Sequence, residues 1–174
     1  MKTLLFLSAL FFAGTTVNLY SLSFNDANYN YVPMNRYSGK KILFVNVASG
    51  SPQAYQLAQL QQLYTQHQDS LVVIAFPSNS FGREPKSNAE IATDYNTIYG
   101  TSFPIAVKSP VINDSANIIF QWLGSKLQNN VVDFKVDTDF QKVLVDRKGI
   151  IIGIFDSSIA PLGTIMQDAI RTSN

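Results

Sequence analysis

Gly39-Lys40-Lys41-Ile42-Leu43-Phe44-Val45-Asn46-Val47-Ala48-Ser49-Gly50-Ser51 is the stretch on which the fold of this chain turns. Its centre, residues 42–47, is a continuous apolar, β-branched run, which suits a strand buried on both faces. Small residues come next as a loop, and Pro52 is placed to open a helix. Leu57, Leu60, Leu63 and Tyr64 then recur at spacings of three and four, giving one apolar helical face that ends near Gln68. Residues 71–76 (LVVIAF) repeat the buried-strand pattern and stop at Pro77. Strand, helix and strand in this order describe the heart of an α/β domain.

Outward from that unit, residues 19–24 alternate and read as a short edge strand, with a polar, turn-rich loop over 25–30. Downstream, Ser87-x-x-Glu90 is a capping box opening a helix with Ile91, Tyr95 and Ile98 on its buried side and Gly100 at its end. Residues 103–107 read as a short strand interrupted by Pro104. Residues 116–127 are helical in period and carry Trp122, the only tryptophan. Residues 143–145 and 150–155 flank Asp146-Arg147-Lys148-Gly149 as a β-hairpin. Pro161 opens a last helix through Met166 and Ile170. With right-handed crossovers, this order gives a mixed central sheet flanked by helices on both faces.

The chain has 174 residues, which fits one domain, and 14% charged against 46% hydrophobic residues favours a packed core over disorder. Thirteen basic residues oppose twelve acidic ones without clustering, so there is no electrostatic footprint for nucleic acid or for an anionic membrane. There is no cysteine, which excludes disulfides, thiolate zinc sites and thiol redox chemistry together. Lys2, the apolar run 4–13 and the small residues Gly14, Thr15 and Thr16 match a secretory signal. The same run would also serve as a buried first strand or helix. It is shorter than the roughly 20 residues a membrane span needs. We assign residues 1–17 to the signal and 18–174 to one exported domain, periplasmic or extracellular.

Several segments resemble one family, and in the same order. Residues 39–49 are similar to the strand of glutathione peroxidases that ends in N-V-A-S. Leu60-Gln61-Gln62-Leu63-Tyr64 resembles the family's L-x-x-L-Y helix. Phe76-Pro77-Ser78-Asn79-Ser80-Phe81-Gly82 resembles its F-P-C-N-Q-F-G loop, and Glu84-Pro85 with Ser87-Asn88-x-Glu90-Ile91 continues that match. Tyr99-Gly100 through Phe103-Pro104, and Val143-Leu144-Val145-Asp146-Arg147 with Gly149, complete it. The resemblance runs from about Leu19 to the C-terminus and implies a thioredoxin-like fold.

It also implies a site, and there the sequence departs. The family places Lys and then the catalytic cysteine or selenocysteine after N-V-A-S, where this chain has Gly50 and Ser51. Residues Pro52-Gln53-Ala54-Tyr55 fit two registers, and Ser51 keeps its place in both. The family's Gln falls at Ser80, and its Trp and Asn fall at Thr138 and Asp139. A peroxidase of this kind needs a group that attacks a peroxide oxygen and is itself oxidised, whereas a serine hydroxyl has no sulfenic-acid state to cycle through. Four changes at once describe a lineage that no longer uses the site. The resemblance to compact members implies a monomer, and no cofactor is expected.

Other chemistry is weighed residue by residue. Ser51 as a hydrolytic nucleophile would need a base, and His67, the only histidine, reads as a surface residue at a helix end. Asp133, Asp137 and Asp139 are spaced D-x-x-x-D-x-D, without the glycine and closing Glu of a calcium loop, and read as a solvated strand entrance. A buried Asp139 would want a donor, for which Ser51 and Ser80 are the candidates. Ser49-Gly50-Ser51 before a helix could bind an anion, though the favoured reading is simply a loop the fold inherited. Trp122 reads as core. The expectation is an exported, catalytically silent family member with a binding or structural role toward an unnamed ligand or partner. The alternatives are reduction of hydrogen or lipid peroxides by an unrecognised route and a serine esterase at Ser51.

Overall fold

The computed structural model describes residues 16–172. The segment assigned to the export signal lies outside the described residues except for its last two positions. Of these, Val17 is tied to the domain: its N–H donates to the Gln128 carbonyl at 2.9 Å and its carbonyl accepts from Trp122 Nε1 at 2.7 Å. Among the described residues, no helix is long and apolar enough to cross a membrane.

The apolar run that decides the fold becomes β3, Lys41–Val47, with every residue buried. Helix α1, Gln56–His67, carries the chain to β4, Leu71–Pro77, which pairs with β3 in parallel. On the other side of β3 lies β5, Lys142–Val145, antiparallel, and beyond it β6, Ile151–Phe155, also antiparallel. The four-stranded sheet thus runs β4-β3-β5-β6. Ile42 and Phe44 face one core with Ile119, Phe120, Trp122 and Leu123 of α3, Ile118–Gly124. Leu43, Val45 and Val47 face the other, against Leu57, Leu60 and Leu63 of α1, Ile91 and Tyr95 of α2 (Asn88–Tyr99), and Met166 and Ile170 of α5 (Thr164–Thr172). Both faces are covered, so the strand alternates without any polar side.

The local signals hold where they rest on backbone chemistry. Ser87 and Glu90 cap α2 reciprocally, and Gly100 ends it at φ +68°. Gly149 turns the β5–β6 hairpin at φ +86°. Four expectations need correction. Residues 19–24 are not one strand: Leu19–Ser21 form a 3-10 turn capped by Asn18, and only Ser23–Asn25 (β1) pairs, with Tyr31–Pro33 (β2). Residues 103–107 make only two isolated bridges, Asp26 to Ala106 and Ala75 to Ile105, since Pro104 has no N–H to extend the ladder. The helix over 116–127 breaks at Ser125, after which comes α4, Lys126–Asn129. Ile98 is exposed rather than buried.

Candidate functional site

β3 delivers residues 48–51 to the C-terminal end of the sheet. Ser51 is only 6% exposed. Its Oγ donates to Gln53 Oε1 at 2.9 Å and accepts from the Gln53 N–H at 3.3 Å, so the hydroxyl is folded back on its own turn. Pro52 does not open the helix directly; a turn intervenes and α1 starts at Gln56. Gly50 explains how tightly this loop is closed. Its N–H donates to the Arg83 carbonyl at 2.9 Å, and a Cβ at position 50 would stand 2.8 Å from that same backbone oxygen. The lysine that the resembling family carries here does not fit this backbone.

Glu84 organises the loop. It is fully buried, and its carboxylate accepts from the Ser49 N–H and Ser49 Oγ, both at 2.7 Å, from Tyr95 Oη at 2.6 Å and from the Lys86 N–H at 3.3 Å. Its own N–H donates to Asn79 Oδ1 at 3.0 Å. Burial, then the hydrogen bond to Glu84, pushes the Tyr95 phenol far above its ordinary value. The loop over 48–51 therefore does receive an anion, through the Ser49 N–H and hydroxyl, but the anion is internal. With Ser49 N–H on Glu84, Gly50 N–H on Arg83 and Ser51 N–H on the Ala48 carbonyl, all three donors are engaged, which overturns the open anion-cradle reading.

Asp139 is fully buried and does need a donor, but neither serine supplies it. Arg83 Nη1 reaches Asp139 Oδ2 at 3.3 Å, with the guanidinium half-exposed, while Asp139 Oδ1 has no partner. Burial pushes the Asp139 carboxyl above the ordinary carboxylate range, against the pull of Arg83. Ser80 turns elsewhere: its Oγ accepts from Ser78 Oγ at 2.9 Å and from the Val111 N–H at 3.1 Å. Thr138 contributes its carbonyl, which accepts from buried Asn46 Nδ2 at 2.9 Å. Next to it, Phe140 sits at φ +63°, held by its N–H on the Asn46 carbonyl at 2.7 Å. A bulky residue in this region is strained and needs such bracing.

The remaining candidates are dispersed. His67 lies at the far end of α1 from Ser51, about 16 Å of helix away, and its Nε2 meets Gln167 Oε1 at 3.1 Å. It cannot serve Ser51 as a base. Asp133 is exposed and caps the Lys126 N–H at 2.8 Å, Asp137 is exposed, and Asp139 points inward. Among the described residues no group of three His, Cys, Asp or Glu could hold a metal ion. Trp122 is buried in the core, as expected. Gly50 and Gln53 stand in the quoted loop motifs without a sign of their packing roles, Glu84 is marked by the Glu84-Pro85 match alone, and nothing in the sequence marks Arg83.

Comparisons with known proteins converge. A family model described as Glutathione peroxidase matches residues 19–124. The glutathione peroxidase-like peroxiredoxin GPX3 of Candida albicans is 34% identical over 153 residues, covering 85% of this chain and 90% of its own. The glutathione peroxidase homolog BsaA of Bacillus subtilis is 34% identical over 127 residues, 72% of this chain and 79% of its own. Among solved structures, Trgpx in apo form superposes with a TM-score of 0.68 at 27% identity, over 91% of this chain and 99% of that one. A thioredoxin-family thiol:disulfide interchange protein from Chlorobium tepidum gives a TM-score of 0.61 at 12% identity, over 91% of this chain and 97% of that one, a likeness of fold alone.

Proposed function

From the premise that the chain belongs to the glutathione peroxidase family, we propose that it is a member that has left peroxide chemistry and serves as an exported, monomeric binding or structural module. One observation carries the reading: the loop where the family keeps its redox residue holds Ser51 at 6% exposure behind Gly50, whose backbone is closed onto the Arg83 carbonyl. A peroxidatic group has to meet peroxide and accept an oxygen atom from it. An alcohol has no electron pair that ends as a stable, reducible sulfenic-type acid. The chain also holds no cysteine that could act in its place or resolve the product. The packed polar surroundings of Ser51 fit a loop kept for architecture.

The test is coupled turnover of hydrogen peroxide and of a lipid hydroperoxide, with glutathione and then thioredoxin as the donor. Rates at the level of heat-treated protein are expected. Turnover clearly above it would favour instead the peroxidase activity that the relatives' names carry. The esterase reading fails on geometry, because His67 sits at the opposite end of α1; a fluorophosphonate probe is expected to leave Ser51 unlabelled. Export is checked by fractionating expressing cells and sequencing the N-terminus of the product. A start at or just before Val17 is expected, which moves the boundary upstream of the assigned Asn18, since Val17 is bonded into the fold.

A further inference from the structure

A polar concavity lies beside the β4 edge of the sheet, between the β1–β2 hairpin, Tyr64 of α1, Ala92 and Asn96 of α2, and residues 101–105. None of its lining residues belongs to the loops over 48–51 or 83–84. The cleft has a volume of about 510 Å³, room for a molecule of metabolite size. Its chemistry is not that of an ordinary surface dip. Arg36 lines it and makes no ion pair among the described residues. The phenols of Tyr37 and Tyr64 line it too. Burial raises the Tyr37 phenol above its ordinary value, and the charges of Arg36 and Asp26 and the Tyr64 phenol act on it.

A buried, unsatisfied hydroxyl is the independent sign. Thr101 is 3% exposed, lines the cleft, and its Oγ1 has no hydrogen-bond partner. A buried hydroxyl without a partner costs on the order of 1–3 kcal/mol. Its surroundings are fixed: Asn96 Nδ2 holds the Thr101 carbonyl at 2.9 Å, and Gln61 clamps Ser102 at both N–H and Oγ. Asp26, on the rim, is held by the N–H groups of Asn28 and Asn30 and by Asn30 Nδ2. Its negative charge disfavours a ligand bearing two anionic groups. Val32, Phe103 and Ile105 supply apolar wall.

We propose that this cleft binds a small molecule with one carboxylate on an apolar body, the carboxylate on Arg36 and the tyrosine hydroxyls, the body against Phe103 and Ile105, and a polar atom over Thr101. Arg is the side chain best matched to a carboxylate, through its planar donor fork. Such a ligand could be a plain organic acid or an amino acid, which share the carboxylate and differ in the ammonium. The cleft gives the binding role proposed above a location, and ligand capture there stands apart from peroxide turnover, which it does not involve.

The experiment is an NMR titration of the isotope-labelled folded domain with phenylpropionate, phenylalanine and the neutral phenylpropanamide. Saturable shifts in the millimolar range are expected at residues around Tyr37, Tyr64 and Thr101. The amide should bind at least about tenfold more weakly, and Arg36→Gln should weaken the acid by a similar factor. Thr101→Val should weaken binding less, while exposed Arg147→Gln should leave it unchanged. Phenylalanine binding as well as phenylpropionate identifies an amino-acid site, and weaker binding identifies a plain-acid site. Non-saturable or scattered shifts, or an Arg36→Gln variant that binds as tightly as the wild type, would overturn the proposal.

Discussion

Replacing Glu84 tests whether the loop after β3 is a structural joint. In Glu84→Ala, the Ser49 N–H, Ser49 Oγ and Tyr95 Oη lose the acceptor that they share at 2.6–2.7 Å, and the Lys86 N–H loses its weaker one. Hydrogen bonds to a charged group contribute about 1.5–3 kcal/mol each and are not additive. Removing a buried charged hub therefore costs about 4 kcal/mol. With a urea slope of about 2 kcal/mol/M, the unfolding midpoint falls by about 2 M. Glu84→Gln is more subtle. Its amide nitrogen faces donors wherever it is placed, and the least damaging position is that of Oε1, where Ser49 Oγ can rotate to accept. The Lys86 bond is then lost and the cost drops to about 2 kcal/mol. Urea unfolding followed by Trp122 fluorescence reads both variants. A Glu84→Ala cost below about 1 kcal/mol with an unchanged slope would refute the hub. So would the absence of coupling to Tyr95→Phe in a double-mutant cycle, where about 1 kcal/mol is expected.

Restoring the family's residues at this loop, Gly50→Lys with Ser51→Cys, is expected to destabilise the fold by about 1–3 kcal/mol through overpacking against Arg83 and to yield no peroxide turnover; a stable double variant on urea unfolding would count against the closed loop. Asp139, whose carboxyl is raised by burial, favours folding when protonated, so its contribution is present at low pH and is lost as pH rises through the raised value. Asp139→Asn should flatten that decline and match or exceed the wild type in thermal stability near neutral pH; a marked loss there would show that the Arg83 pair outweighs burial. Lys142, fully buried with Nζ on the Phe140 carbonyl at 2.8 Å, is pushed down by burial to about 8. Its depressed value favours folding above the unfolded value of 10.5 and loses that contribution as pH falls through 8, a difference of about 3 kcal/mol. Lys142→Met should therefore be more stable near neutral pH by about 2 kcal/mol after loss of one hydrogen bond, with a flatter profile between the two values; an unchanged pH profile on thermal unfolding would refute it.

What the sequence reveals here depends on how local the cause is. β3 is legible because both its faces are covered and every position must be apolar or paired, and α2 because Ser87 and Glu90 satisfy each other three residues apart. Residues 103–107 mislead, since the apolar pattern is real but Pro104 confines pairing with β4 to one bridge. Ile98 misleads because helical period marks a face without saying whether anything covers its end. The position of Ser51 is legible from its distance along the chain after β3. Its environment is not, because Arg83 to Asp139 spans 56 residues and Ser49 to Glu84 spans 35. Serine at 51 and glycine at 50 are then parts of one change. A thiolate must remain accessible to peroxide and be held as an anion, which limits how closely a loop can pack. A neutral hydroxyl can be turned onto Gln53, and once it is, the backbone at Gly50 can approach Arg83 to a distance at which no side chain fits. A serine turned onto Gln53 and a glycine closed onto Arg83 fit together, and a lysine at position 50 requires the joint between residues 48–51 and 83–84 to reopen.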